Sequence, residues 1–256
     1  MNVHTIVLAA GEGSRMKSNR AKTLQKIGGK TMLEMICQTA AKVSSKIILI
    51  IGFDKESVIK ESENFDLNII ACEQPKPKGT GDAVKCGIDE VTEADKVLVL
   101  YGDVPLIKEK TLKELIDSSN NGISILTTVL DNPFGYGRVS KDRDGNAIAI
   151  IEEKDATEDE KNINEIFTGV LCARTDFLKE GLLEIKDDNA AGEFYLTDIV
   201  SIMSNKGIKI NTYVASNDEV KGANSHRELA ELEGIFREMK VQDILNMGIT
   251  VSDPSR

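Results

Sequence analysis

The sequence predicts an α/β protein: a mixed, mainly parallel sheet flanked by helices, with a small β-rich lobe beside it. Two observations carry this expectation. Short, continuous apolar runs end in glycine and alternate with helical patterns, as strands do when helices cover both faces of a sheet. After about residue 132 the pattern changes to shorter runs around an Asp-Gly pair, a hairpin signal.

In order along the chain, Thr5 to Ala10 is an apolar run that stops at Gly11 and reads as a buried parallel strand entering a loop. The loop from Gly11 to Lys30 is rich in Gly, Ser and basic residues. Gly29-Lys30 reads as a turn before a helix over Met32 to Val43. Lys46 to Ile51 is a second buried strand and Asn68 to Cys72 a third, followed by the turn-rich stretch Glu73 to Gly81. A helix is expected over Asp82 to Val91 and a strand over Val97 to Tyr101, again ending in glycine at Gly102. In such sheets ligands bind beyond the carboxyl ends of the strands, which singles out the loops after Ala10 and Tyr101. Tyr136 to Ser140 and Ala147 to Glu152 flank Asp144-Gly145, and Ile163 to Ala173 is expected to add another strand pair. Asn132 to Glu193 therefore reads as a smaller lobe. Asn224 to Met247 has a long helical pattern with Leu229, Leu232, Ile235 and Phe236 on one face.

Composition narrows the function. A chain of 256 residues can bury a sizeable core, and 41% hydrophobic with 29% charged residues is ordinary for a soluble enzyme. The longest apolar runs are far too short for a bilayer, and the N-terminus has no signal-peptide pattern, so no membrane partner is expected. The four cysteines, Cys37, Cys72, Cys86 and Cys172, show neither metal-ligand nor redox spacing, which fits a reducing, cytoplasmic setting. With only His4 and His226, a zinc site or a histidine-based triad is not expected. The net charge of −10 argues against non-specific nucleic-acid binding but leaves room for a local cluster of cations around a phosphate.

Such a cluster is present in the first loop. Gly11-Glu12-Gly13-Ser14-Arg15-Met16 follows a strand, but Met16 stands where a dinucleotide fingerprint needs its third glycine. Gly29-Lys30-Thr31 resembles the end of a Walker motif, but the glycine needed five residues before Gly29 is Leu24. What remains is a flexible glycine loop with Arg15 and then Lys22. Its N–H groups can approach phosphate oxygens, and its two cations can neutralise them.

Leu8-Ala9-Ala10-Gly11-Glu12-Gly13-Ser14-Arg15-Met16 with Lys22 resembles the signature of nucleoside-diphosphate-sugar pyrophosphorylases. Further segments follow in order. They are Gln74 with Gly79-Thr80-Gly81, Tyr101-Gly102-Asp103-Val104-Pro105-Leu106, Asn132-Pro133 with Gly135-Tyr136-Gly137-Arg138, and Glu152 with Lys154-Asp155-Ala156. Thr168-Gly169, Gly192-Glu193-Phe194-Tyr195-Leu196-Thr197-Asp198 and Gly222-Ala223-Asn224 complete the set. Together they are similar to the uridylyltransferase half of the bacterial bifunctional N-acetylglucosamine-1-phosphate uridylyltransferase/glucosamine-1-phosphate acetyltransferase, essentially from end to end.

The resemblance implies a Rossmann-like nucleotide-diphospho-sugar transferase fold in a single domain. Residues 1–131 would bind nucleotide, 132–224 would form the sugar-binding lobe and complete the sheet, and 225–247 would form the terminal helix. It implies a Mg²⁺-dependent transfer of a uridylyl group from UTP to N-acetylglucosamine 1-phosphate, giving UDP-N-acetylglucosamine and pyrophosphate, a step of cell-wall precursor synthesis. Arg15 and Lys22 would be catalytic. Leu8, Ala10, Gly11, Gly13, Gln74, Gly79 and Thr80 would hold the nucleotide, with Gln74 presenting both a donor and an acceptor to the uracil edge. Gly137, Glu152, Phe167, Thr168 and Tyr195 would line the sugar side. Asp103 and Asn224 would hold the metal, although Asn224 alone also reads as a helix N-cap. A sugar phosphate is already ionised near neutral pH, so attack on the α-phosphorus needs alignment and charge screening more than a general base.

Departures from that pattern matter too. Ala21 stands where the family has proline, and Pro77 where it has a second glutamine. Phe167 stands where it has an asparagine that bonds the sugar. Phe167 is expected to face the sugar pocket or its wall, with weak use of N-acetylglucosamine 1-phosphate or preference for another sugar as the result. The alternatives are thus a different sugar 1-phosphate, or a weakly active nucleotide-sugar binding protein. The chain ends at Asp253-Pro254-Ser255-Arg256 without hexapeptide repeats, so the family's trimerising β-helix and its acetyltransferase activity are expected to be absent, leaving only a possible homo-oligomer.

Overall fold

Apolar strands with no polar alternation need cover on both faces, and the structure supplies it. The computed structural model describes residues 1–119 and 122–254, so Ser255 and Arg256 of the terminal stretch lie outside the described residues. In chain order its elements begin with β1 (Val3–Leu8), β2 (Lys26–Ile27), β3 (Lys30–Thr31), α1 (Met32–Ala40), β4 (Lys46–Ile51), α2 (Lys55–Ser62), β5 (Ile69–Glu73), α3 (Thr80–Gly87) and β6 (Lys96–Tyr101). They continue with α4 (Glu109–Ser118), β7 (Ile123–Val129), β8 (Arg138–Lys141), β9 (Ala147–Ile151), α5 (Glu158–Lys161), β10 (Glu165–Arg174), α6 (Thr175–Glu184), α7 (Asp198–Asn205), β11 (Ile210–Val214), α8 (Asn217–Val220) and α9 (His226–Asn246).

The main sheet runs β11-β7-β10-β6-β1-β4-β5, with the β8–β9 hairpin attached through β10. β1 is parallel to both β4 and β6, whereas β10 is antiparallel to both β6 and β7. Chain order reverses at β1: β4 and β5 extend one way and β6 the other. The crevice beyond the carboxyl ends of β1 and β6 is thus a topological switch point. Neighbouring residues of β1 go to opposite faces: Ile6 packs with Val84, Leu178 and Ile199 below α3, α6 and α7, and Val7 with Leu33, Val58 and Leu112 below α1, α2 and α4. Both are fully buried, which is why the run has no polar alternation.

A third cluster explains how the first loop is held. Leu232 of α9, with Leu229, Ile235 and Phe236 beside it, packs on Met16, Ile27, Met32 and Leu106. The terminal helix therefore clamps the β2–β3 hairpin and the turn that carries Arg15. The turn expected at Gly29-Lys30 falls at Gly28-Gly29, with Lys30 in β3, and Thr31 caps α1 by accepting the Glu34 N–H at 3.1 Å. No helix among the described residues is long and apolar enough to cross a membrane, and the four cysteines are free thiols.

One expectation is corrected. Residues 163–173 do not form a strand pair. Residues 165–174 form one ten-residue strand whose register with β7 shifts between Phe167 and Leu171. Gly169 sits in that irregularity at φ +90°, and a Cβ there would lie 2.7 Å from the Tyr101 ring. The glycine bends one strand where a turn seemed due, so its first half pairs with the hairpin and its second half with β6.

Candidate active site

Three separate stretches meet at the switch-point crevice. Asp103 follows β6, where Gly102 N–H donates to Leu8 O at 2.9 Å and Val104 N–H to Tyr101 O at 3.2 Å, fixing the turn. Lys22 opens a one-turn helix at residues 22–24 whose Thr23 and Leu24 are buried, and Ala21 N–H donates to the Asp54 carboxylate at 3.0 Å. Ala223 N–H donates to the Asp103 carbonyl at 3.2 Å, bringing Asn224 alongside. Asn224 is not the N-cap of α9. Ser225 has that role, accepting the Glu228 N–H, while the Asn224 N–H donates to the Glu228 carboxylate at 2.6 Å. One position upstream of the cap, the Asn224 amide oxygen is available to the crevice.

Lys22 joins the three. Its ammonium donates to Asp103 Oδ2 and, at 2.9 Å, to Asn224 Oδ1. A carboxylate oxygen and an amide oxygen thus converge on one cation, the donor pair a hard divalent ion accepts when phosphate oxygens and water complete its shell. Among the described residues no group of three or more His, Cys, Asp or Glu side chains is placed to hold a metal by itself. Gly13 backs onto the Lys22 stem, and a Cβ there would lie 2.9 Å from Lys22 Cβ. Arg15 is exposed on the neighbouring turn, with no hydrogen bond to another described residue, and Met16 anchors the turn from below.

Next to this cluster is a cavity lined by Leu8, Ala10 and Gly11 from the first loop and by Gln74, Gly79 and Thr80 from the second, with Lys22 and Asp103 at one end. Tyr101, Thr23 and Glu193 also line it. Sequence reasoning gave these three no role, although Tyr101 and Glu193 stood inside motifs already singled out. Gln74 differs from the expectation of a free donor and acceptor. Its Nε2 donates to Gly79 O at 3.1 Å and to Asp82 Oδ2 at 2.8 Å, so both N–H groups are engaged and only Oε1 can face a ligand.

The Gly79 loop is stitched to the segment around Phe194. Phe194 N–H donates to Lys78 O at 2.8 Å, Gly81 N–H to Phe194 O at 2.7 Å, and Leu196 N–H to Thr80 Oγ1 at 3.0 Å. Gly79 has φ +109°, and a Cβ there would meet Phe194 O at 2.5 Å. Gly79→Ala is therefore expected to cost about 2–4 kcal/mol, from strained backbone plus a steric clash. A lowered thermal midpoint together with weakened nucleotide binding by calorimetry would check this, whereas an unchanged midpoint would show that the two loops separate freely.

An acidic group adjoins the cavity through Glu193. Burial pushes the Glu152 carboxyl upward, with the charges of Asp155 and Glu193 adding to it, and Thr197 Oγ1 donates to Glu152 at 2.9 Å. Asp198 is raised to about 6, first by burial and then by Glu152 and Asp155. Burial and the same carboxylates raise the Tyr195 phenol to about 12. A Cβ on Gly137 would lie 3.6 Å from the Glu152 carboxyl, so the Gly137 backbone faces it. Thr168 Oγ1 donates to Leu126 O at 2.8 Å, which commits its proton to the strand. Thr197, like Glu193, stood inside a motif already singled out but was given no role, because a threonine at a turn does not by itself point to a carboxylate partner.

Of the two places expected for Phe167, the sugar pocket or its wall, the structure shows a ring packed inward and not open to a pocket. It is only 6% exposed and belongs to the core cluster with Val139, Ile150 and Leu196, so the ring is packed structure at the base of the lobe. Its N–H is held by Gly137 O at 2.9 Å, which ties this end of β10 to the start of the hairpin.

A switch-point crevice with a glycine loop, a lysine-bridged carboxylate and amide, and an adjoining cavity defines a class. Residues 5–161 match the MobA-like NTP transferase domain, and the chain belongs to that family. Full-length comparison goes further. The chain is similar to bifunctional protein GlmU of Methylococcus capsulatus, 39% identical over all of this chain and 56% of that protein. It is also similar to bifunctional protein GlmU of Dichelobacter nodosus, 38% identical over 98% of this chain and 55% of that protein. The same-named protein of Neisseria gonorrhoeae is 40% identical over 99% of this chain and 56% of its own length. The chain thus spans a little over half the length of the curated relatives it matches.

Proposed function

We propose that the chain transfers a uridylyl group from UTP to N-acetylglucosamine 1-phosphate with the aid of Mg²⁺, releasing pyrophosphate, in a cytoplasmic setting consistent with its free thiols. The observation that supports this best is the Lys22–Asp103–Asn224 cluster, whose Lys22 and Asp103 line the cavity of Gln74, Gly79 and Thr80, with Glu193 linking that cavity to the acidic group around Glu152. A sugar 1-phosphate is polar in the matching sense. Its hydroxyls donate to Glu152 and its neighbours, while its phosphate, repelled by those carboxylates, goes to the cations at the other end. In the transfer, a phosphate oxygen of the sugar forms the new bond to the α-phosphorus, and the bond to the β-phosphate bridging oxygen breaks as pyrophosphate leaves. Asp103 and Asn224 would hold the metal, which supplies charge neutralisation on the phosphates when bound. Lys22 and Arg15 screen the triphosphate and its departing charge.

Base choice follows from Gln74. With only Oε1 available, it accepts a hydrogen bond from the N3–H of uracil, whereas cytosine offers an acceptor there and would leave two lone pairs facing each other. Pyrophosphate release measured over triphosphates and sugar phosphates is the test. UTP should exceed CTP by roughly a hundredfold in kcat/KM, the scale of about 3 kcal/mol. Equal use of both would remove the role given to Gln74, and no release with any sugar phosphate would remove the proposal.

A second reading, transfer to a different sugar 1-phosphate, is favoured by the phenylalanine itself: an apolar residue at position 167 offers a sugar no hydrogen bond. Because the ring is packed, Phe167→Asn is expected to destabilise the protein by about 3–5 kcal/mol. A normal melting midpoint with improved use of N-acetylglucosamine 1-phosphate would instead place the ring against the sugar.

A further inference from the structure

The loop at residues 133–137 borders the site. Gly137 faces Glu152, and Tyr136 lines a recess with Thr168 and Lys221. Such a loop, with Gly135 at φ +86° and Phe134 three-quarters exposed, has little core of its own to define it. Three consecutive main-chain groups are nevertheless held from beneath. Gly135 N–H donates to Glu153 Oε2 at 3.0 Å, Tyr136 O accepts from Arg138 Nη1, and Gly137 O accepts from Phe167 N–H at 2.9 Å. Two of these three contacts run through one ion pair, since Arg138 Nη2 donates to the same Glu153 oxygen at 2.6 Å.

Arg138 is only 2% exposed, and its Nε has no partner among the described residues. Taking a guanidinium out of water is costly, and a buried pair is weak as a device for stability alone. The planar fork achieves something a lysine cannot: it reaches a carbonyl and a carboxylate at once, in fixed directions. The carboxylate in turn reaches back to Gly135, which, with the Arg138 contact, holds the Glu153 carboxyl below its usual range. The pair sits at the start of β8 and just after β9, so it ties the loop to the hairpin, in addition to the turn in which Tyr136 N–H donates to Pro133 O at 3.2 Å.

We infer that Arg138, directly and through Glu153, is a positioning residue: it fixes the Gly135–Tyr136 backbone, and with it the approach to Gly137, as the wall along which a sugar 1-phosphate lies between the acidic group around Glu152 and the Lys22 cluster. This rests on the proposed transfer for the identity of the ligand, but not for the anchoring itself. The nucleotide cavity is built from other loops, so the effect is confined to the sugar phosphate.

The chain has no tryptophan, and Phe134 is exposed at the tip of this loop, so Phe134→Trp supplies a single reporter. In that background Arg138→Lys keeps the charge and loses the fork, and Glu153→Gln removes the charge from the partner. Both should raise acrylamide quenching of the reporter. Both should raise the KM for N-acetylglucosamine 1-phosphate by roughly tenfold while the KM for UTP stays within about twofold, the signature of lost binding at one substrate only. The double variant should be no worse than Arg138→Lys, because both act along one path. Parallel loss of both KM values with a falling melting midpoint would reduce Arg138 to a structural role. Unchanged quenching in both variants, each folded by circular dichroism, would overturn the anchoring. If the unaltered protein turns over no sugar phosphate, the functional proposal fails, and the quenching still decides whether Arg138 and Glu153 hold the loop.

Discussion

Replacing Asp103 with alanine is expected to lower turnover by at least roughly a thousandfold, on the order of 4 kcal/mol of transition-state stabilisation. The carboxylate is 7% exposed, fixed by a turn on β6, and among the described residues is the one anionic oxygen donor that shares a cation with Asn224. An amide oxygen by itself is a weak ligand for a divalent ion, so the substrates' own charges would remain largely unscreened. The cavity that Asp103 borders is otherwise lined by Leu8, Gln74, Gly79 and Thr80, which stay in place, so UTP affinity measured without metal should stay within severalfold. Steady-state kinetics over a Mg²⁺ titration, beside calorimetry of UTP binding, separates these effects. Turnover within tenfold of the unaltered protein at saturating metal would end the assignment of Asp103.

Lys22→Met should divide two properties that a simple phosphate-binding lysine would not. Turnover should drop by roughly a hundredfold to a thousandfold, the scale for removing one preorganised charged donor. Mn²⁺ affinity of the nucleotide-free protein should rise, because the ammonium that satisfies Asp103 and Asn224 competes directly with a metal for the same two oxygens. A triphosphate offers the ammonium another partner, so the gain should shrink or vanish when UTP is present. Mn²⁺ titration followed by electron paramagnetic resonance reads the first effect without any reaction. Weaker Mn²⁺ binding in the variant would show that Lys22 supports the metal site rather than opposing it.

Local strand and loop physics was legible in the sequence wherever burial is complete. The runs at residues 5–10, 46–51 and 97–101 announced the centre of a parallel sheet, and their terminal glycines marked its carboxyl-end loops, because strands covered on both faces leave no polar position to confuse the reading. The face of α9 was equally plain from its spacing. By contrast, β7, β11 and helices α4, α6 and α7 were not singled out. The strand pair expected over residues 163–173 proved to be one strand, because a glycine inside a strand can mark an irregularity that the strand runs through.

The site divides along the same line. By itself the sequence determined the fold class, the two glycine-bearing loops and the chemical types available there: two cations, a carboxylate at a strand end, and no histidine placed for catalysis. Only the tertiary structure decided which groups are spoken for. Lys22 bridges Asp103 and Asn224 across more than two hundred residues of chain, Gln74 has spent both its N–H groups, Ser225 rather than Asn224 caps α9, Phe167 is core, and Arg138 is a buried clamp. The physical reason is one of range. Apolar periodicity and turn chemistry act over a few neighbouring residues and leave a trace in them. Hydrogen-bond satisfaction in a buried site is settled by partners brought together only when the sheet closes, and no local pattern records them.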